Sequence, residues 1–368
     1  MVPDINGLTI HVLEAGYEAP GRPCVLLLHG FPELAWSWRR IMLPLAAAGF
    51  HVVAPDQRGY GLTTGWDASY DGDVGRFRLL NVARDALGLV SALGHRSVAA
   101  VVGHDFGSHV AGWCALVRPD VFRSVVMMSA PFAGPPALPF ATAVPGAASA
   151  AARGEDPIFE ALGRLPRPRK HYHRYYSTRD ANPEMHGSPQ GIHDFLRAYF
   201  HHKSADWTEN RPWRLAGWTA EELAKMPTYY IMDRDRGMAE TVAAEMPSAA
   251  EIAACRWLPE DELGVFAREF GRTGFQGGLN WYRCRFVPEI TSEAMLFSAR
   301  RIDVPSAFVA GRADWGVWQR PGDFERMQTL ACSRMEEVHL VDGAGHWVQQ
   351  ERSDEVARIL AGFLARHR

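Results

Sequence analysis

Four short apolar runs in the first third of this 368-residue chain constrain its fold most: Val25 to His29, His51 to Pro55, Val98 to Gly103 and Ser124 to Met128. Their hydrophobicity is continuous and lacks the alternation of a half-solvated strand, which suits strands covered on both faces of a parallel sheet. Between two of them Phe77, Leu80, Val82, Ala83, Ala86, Leu87, Val90 and Leu93 recur at helical spacing, and Gly94 supplies the stop. Strand and helix thus alternate in a doubly wound α/β pattern. The pattern breaks at Pro131-Phe132-Ala133-Gly134-Pro135-Pro136, and the stretch from there to about Phe297 leans helical and aromatic, with no clear sheet strand. The apolar 137–152 run, interrupted by Pro and Gly, reads as a packed linker or the entry to an inserted cap and not as a membrane contact. Sheet pattern resumes at Ser306 to Gly311 and Val338 to Val341, and an amphipathic helix through Val356, Ile359, Leu360, Phe363 and Leu364 closes the chain. The expected organisation is a core in two parts, 1–133 and 298–368, around a helical insertion, 134–297.

Charged residues make up 22% of the chain and the net charge is -3, so there is no electrostatic reason to seek nucleic acid or anionic lipid. The start, Met1 to Gly16, has no positive region followed by an apolar stretch, and no run is long enough to span a membrane. A cytoplasmic protein is expected, with no nucleic-acid partner and no membrane insertion. Cys24, Cys114, Cys255, Cys284 and Cys332 are odd in number and scattered without a CxxC pair, which suggests neither a disulfide framework nor a zinc site. His171, His173, His201 and His202 also lack the spacing of a metal site, so no metal and no cofactor is expected. Oligomeric state leaves no mark on the sequence.

Gly103-His104-Asp105-Phe106-Gly107 lies between a predicted strand and a predicted helix from Ser108 to Leu116. Glycines two residues either side of the centre allow a sharp turn that presents the central side chain at the strand's end, where such elbows usually carry serine. An aspartate there is already ionised at neutral pH and needs no base to activate it, so a base is free to act on water. On its own the motif is only a Gly-bracketed turn with a solvated Asp. Two further residues change its meaning. His346 stands in Gly343-Ala344-Gly345-His346-Trp347 after the last strand, and Asp314 in Gly311-Arg312-Ala313-Asp314 after the preceding one. Nucleophile, acid and histidine then come in the order of an α/β-hydrolase triad. Backbone N–H groups of Phe106 and of Phe31, in His29-Gly30-Phe31-Pro32-Glu33, are the expected oxyanion donors. Glu33 reads as a charge at a helix start, and Arg58, in Asp56-Gln57-Arg58-Gly59-Tyr60-Gly61, as an internally paired residue.

These pieces together resemble the soluble epoxide hydrolases of the α/β-hydrolase fold, relatives of haloalkane and haloacetate dehalogenases. The resemblance spans both core segments, roughly half the chain, and its motifs are specific in combination. It implies that Asp105 opens an epoxide to form an alkyl ester, which water activated by His346 then hydrolyses to a diol. It also implies two cap tyrosines that donate hydrogen bonds to the epoxide oxygen, a task that suits a phenol. Gly278-Leu279-Asn280-Trp281-Tyr282-Arg283 resembles the second tyrosine motif, with Tyr282 as donor. For the first, Tyr172, Tyr175 and Tyr176 all stand in His171-Tyr172-His173-Arg174-Tyr175-Tyr176, and Tyr172 fits the spacing best. The chain departs from the family in having Phe106 where Trp is common, and in a cap lengthened between Tyr176 and Phe275. The expected substrate is a hydrophobic epoxide, with water. The alternatives are a hydrolytic dehalogenase using the same Asp105, His346 and Asp314, or a non-catalytic ligand-binding protein on this fold.

Overall fold

The computed structural model describes residues 1–138 and 157–367, so all but the first two residues of the 137–152 run lie outside the described residues. The chain opens with a hairpin, β1 (Val2–Ile5) and β2 (Leu8–Ile10), and continues into the edge strand β3 (Val12–Ala15). Then come β4 (Cys24–Leu28), β5 (His51–Pro55), β6 (Ala100–His104) and β7 (Val125–Met128). A short pair, β8 (Arg169–His171) and β9 (Ile231–Asp233), precedes β10 (Ser306–Gly311) and β11 (Met335–Val341). Seven strands form the main sheet in the order β11-β10-β7-β6-β4-β5-β3. All its pairings are parallel except that of β3 with β5.

Continuous apolar strands are explained by two cores, one on each face. Leu26 and Leu28 of β4, Val101 of β6, Val125 and Met127 of β7 and Phe308 of β10 point to one side. There they meet the helices Leu79–Ala92 and Phe106–Val117 and the residues inserted between β7 and β10. Val25, Leu27, Val102, Val126, Met128, Ala307 and Val309 point to the other side, against the helices Arg39–Ala47 and Ser353–Arg366. The period of two is present, but both of its phases are buried.

Three expectations are revised. Val98 precedes the strand and makes only an isolated bridge to Phe122, so the sheet begins at Ala100. The last strand starts at Met335, earlier than its apolar end suggests, because this edge strand leaves alternate positions, Glu336 and Val338, exposed, and its start carries Glu336 and Glu337. The insertion, mostly helical, also holds a two-stranded antiparallel ribbon that pairs Arg169 with Asp233 and His171 with Ile231. Strands of three residues are too short to show a period. Among the described residues no helix is long and apolar enough to cross a membrane.

Candidate active site

β6 ends at His104, and the helix Phe106–Val117 begins two residues later, with Asp105 between them at φ 53° and ψ -118°. Such a φ is costly for a non-glycine residue and is the backbone signature of a sharp elbow. Its flanking glycines are required by close approach: a Cβ on Gly103 would lie 1.9 Å from the Gly107 carbonyl oxygen, and one on Gly107 2.2 Å from that of Leu28. The carboxylate turns toward the end of β4, where the Phe31 N–H donates to Asp105 Oδ1 at 3.0 Å. Phe106, the other expected donor, contributes the first N–H of the helix that starts there.

Asp314 and His346 arrive from the loops after β10 and β11. His346 Nδ1 lies 3.1 Å from Asp314 Oδ1, and since a carboxylate only accepts, Nδ1 carries the proton. Gly316 N–H holds the same oxygen at 2.6 Å. This leaves His346 Nε2 facing Asp105 Oδ2 at 3.4 Å, wider than a normal hydrogen bond. All three side chains are buried. Burial pushes the Asp105 carboxyl up, but contact with His346 and the charges of Lys203 and His104 outweigh it and hold Asp105 well below the usual carboxylate range. Asp314 is likewise depressed: burial is the largest influence and opposes ionisation, and His346 with the Gly316 N–H overcomes it.

The inserted residues supply a roof of tyrosines. Tyr282, on the helix Gln276–Arg283, packs its ring 4.5 Å from that of Phe106 and 5.5 Å from that of Phe31, edge to face in both cases. Tyr172 sits 5.9 Å from Tyr282 between ring centres, and its hydroxyl donates to Gln319 Oε1 at 3.0 Å. Among the described residues the Tyr282 hydroxyl has no hydrogen-bond partner. Burial, followed by the Asp105 charge, raises both phenols and keeps them protonated. Tyr175 and Tyr176 are committed elsewhere. The first donates to Glu184 at 2.5 Å and accepts from Met238 N–H; the second donates to Tyr199 at 3.0 Å.

Two groups of this site escape a reading by motif. Glu33 does not cap a helix; it is fully buried and ion-paired to His104 at 2.6 Å. Its other contacts are Gly30 N–H and the side-chain amides of Gln349 and Gln350. His104 in turn donates to the His346 carbonyl at 2.7 Å, so one buried pair joins the loop after β4, the elbow and the histidine loop. Burial favours the neutral form of each, but their attraction wins: Glu33 is lowered and His104 raised. Lys203 is also buried, its ammonium 5.0 Å from the Tyr230 ring centre and 5.4 Å from those of Tyr199 and Trp347. Its carbonyl accepts from His346 N–H at 2.9 Å. Arg58, by contrast, forms a two-pronged pair with Asp85 and lies outside the site.

Away from this site, Cys24, His51 and His95 place potential ligand atoms within 4.8 Å of one another. The two imidazoles already share a 2.9 Å hydrogen bond, and His51 Nε2 is 3.0 Å from Glu14, so protein groups satisfy them without an ion.

A doubly wound sheet with an acid on its elbow, a histidine and second acid on later loops, and a covering insertion defines a hydrolase of the α/β-hydrolase fold. The pattern described as alpha/beta hydrolase fold matches residues 23–162. Epoxide hydrolase A of Mycobacterium tuberculosis is 36% identical over 98% of this chain and 95% of its own length. An epoxide hydrolase of Caballeronia sordidicola is 32% identical over 98% and 91%. Among solved structures, epoxide hydrolase A of Mycobacterium thermoresistibile has a TM-score of 0.73 at 31% identity, covering 98% of this chain and 96% of that one. Potato epoxide hydrolase I has a TM-score of 0.74 at 27% identity, over 100% and 98%. The chain belongs to the epoxide hydrolase family of the α/β-hydrolase fold.

Proposed function

We propose that this protein converts an organic epoxide to a vicinal diol through an aspartyl ester. Asp105 Oδ2 attacks one ring carbon, that carbon's bond to oxygen breaks, and the departing alkoxide takes a proton from Tyr282 or Tyr172. Water then loses a proton to His346 Nε2 and adds to the ester carbonyl. The developing oxyanion, the former Asp105 Oδ1, is met by the Phe31 and Phe106 N–H groups. On collapse the ester oxygen leaves with the proton held by His346, releasing the diol, and the acid proton left on Asp105 passes back to the tyrosinate, restoring carboxylate, imidazole and phenol; Asp314 stabilises the imidazolium in between. No cofactor enters this scheme. The residues 134–297 act as the cap that brings the tyrosines over the core segments 1–133 and 298–368.

The observation that carries this reading is the placing of Tyr282 against Phe31 and Phe106, the two residues whose N–H groups border Asp105, with Tyr172 packed on Tyr282. An alkoxide is a poor leaving group and gains from such donors. A departing halide needs none, so hydrolytic dehalogenation leaves the tyrosines without a task. The test is single turnover of an epoxide in heavy-oxygen water. Label should enter the Asp105 carboxylate first and the diol only in later turnovers. Label appearing in the first diol would mean direct attack by water.

A further inference from the structure

Three residues beyond Tyr282, on the turn Cys284–Phe286, the Arg285 guanidinium lies 5.1 Å from the centre of the Phe106 ring. Phe106 directly succeeds Asp105 and packs on Tyr282, so this cation borders the site where the epoxide reading puts the reacting atoms. Among the described residues Arg285 has no carboxylate at ion-pairing distance and makes no hydrogen bond; its Nε is buried and unpartnered. A ring face offsets only part of the cost of withdrawing a guanidinium from water, and the remaining donors call for an acceptor.

Among the described residues the surroundings supply little negative charge. Arg320 comes after Gln319, the residue that holds the Tyr172 hydroxyl, and stacks 5.0 Å from the Trp218 ring centre. It is half exposed and lies 3.5 Å from Asp323. His109, His171 and His173 face the same region, and each is pushed down by burial first and then by the two arginines, so they stand neutral. Among the described residues the acids in reach are Asp105, already engaged by His346 and Phe31, and Asp323, shared with Arg320.

We infer that Arg285, with Arg320 further out, binds the carboxylate of the substrate, so that the enzyme prefers epoxides bearing a carboxylate within a few bonds of the ring. This rests on the epoxide hydrolase reading and names the substrate class of that same site. The guanidinium fork matches a planar carboxylate in two parallel hydrogen bonds. Its place beside Phe106 sets the short reach.

The experiment compares 3-phenyloxirane-2-carboxylate with its primary amide, which is similar in shape but uncharged, by kcat/KM at equal ionic strength. Wild type should favour the acid by about 10- to 100-fold, the worth of hydrogen bonds between charged groups. Arg285→Gln should bring the acid-to-amide ratio close to one. Arg285→Lys should give an intermediate ratio, because it keeps the charge and loses the fork. Arg320→Gln should lower the ratio less. Should the glutamine variant fail to fold, the wild-type ratio and the lysine variant decide. An amide hydrolysed as fast as the acid by wild type overturns the inference and leaves the hydrolase reading intact. If neither compound nor any simple neutral epoxide is hydrolysed, the epoxide reading falls, and this inference falls with it.

Discussion

At the residue scale the proposed reaction divides labour between a group that attacks, groups that donate and one that takes a proton, and each can be removed separately. His346→Gln should still form the ester, since alkylation calls on the ionised Asp105 and the tyrosines and not on His346, but should not hydrolyse it; intact-protein mass should show the trapped adduct. Absence of adduct with turnover retained would strip His346 of its role. Tyr282→Phe and Tyr172→Phe should each slow ring opening by about 10²- to 10³-fold, the loss measured when single oxyanion donors are removed from enzymes, worth about 2.7–4 kcal/mol. Tyr176→Phe should leave that step nearly unchanged, because its hydroxyl serves Tyr199 within the insertion, whereas the Tyr172 proton, now on Gln319, is the one the proposed reaction transfers to the epoxide oxygen. Stopped-flow alkylation rates check all three. Asp105, Asp314 and His346 were legible because each stands just past a strand inside a glycine-containing motif. Glu33 and Lys203 were not, because nothing in chain spacing tells that residue 33 meets residue 104, or that a lysine in a His-His-Lys run turns inward over aromatic rings. Only packing supplies those partners.

At the element scale, the Glu33–His104 pair ties together three loops that leave different strands. Removing one partner strands a buried charge, so Glu33→Gln should cost about 3–5 kcal/mol in denaturant unfolding. The pH dependence comes from the two shifts. Glu33 is depressed in the folded state, so its contribution is present above the unfolded carboxylate value of about 4.3 and is lost as pH falls through the lower folded value. His104 is raised, so its contribution is full below the unfolded imidazole value of about 6.5 and is lost as pH rises through the higher folded value. The stability gap between wild type and Glu33→Gln should therefore be widest from about pH 4.3 to 6.5 and narrow on the alkaline side. A gap that grows with rising pH would contradict the assigned charges. The strands themselves were legible wherever both faces are buried, as in β4, β6, β7 and β10. The antiparallel edge strand β3 and the ribbon of β8 and β9 escaped because three- or four-residue strands at a margin carry no pattern distinct from a loop.

At the scale of the whole molecule, the covering insertion is fastened to the core by polar contacts at several points, among them Trp281 with the Arg58 carbonyl, Arg78 with Glu293 and a cluster around Glu262. Arg39 and Arg40, on the helix Arg39–Ala47, both reach Glu262 on the helix Glu260–Thr273, and Arg39 also donates to the Trp257 carbonyl and to Gln350. Glu262→Gln should change unfolding free energy by only about 1 kcal/mol, since Glu262 is partly solvated. It should slow ring opening several-fold, because Tyr172 and Tyr282 ride on the inserted residues while Asp105 stays with the sheet. Equal alkylation rates in variant and wild type would show that this contact does not hold the roof in place. The same division of the chain has a consequence for biosynthesis. β7 is complete at Met128, but its hydrogen-bonding neighbour β10 begins only at Ser306, so about 180 residues must be translated in between. At about 5–20 residues per second the nascent sheet waits roughly ten to thirty-five seconds with the Val125–Met128 edge unpaired. A chain stalled in that interval would offer an apolar open edge to its neighbours on the polysome.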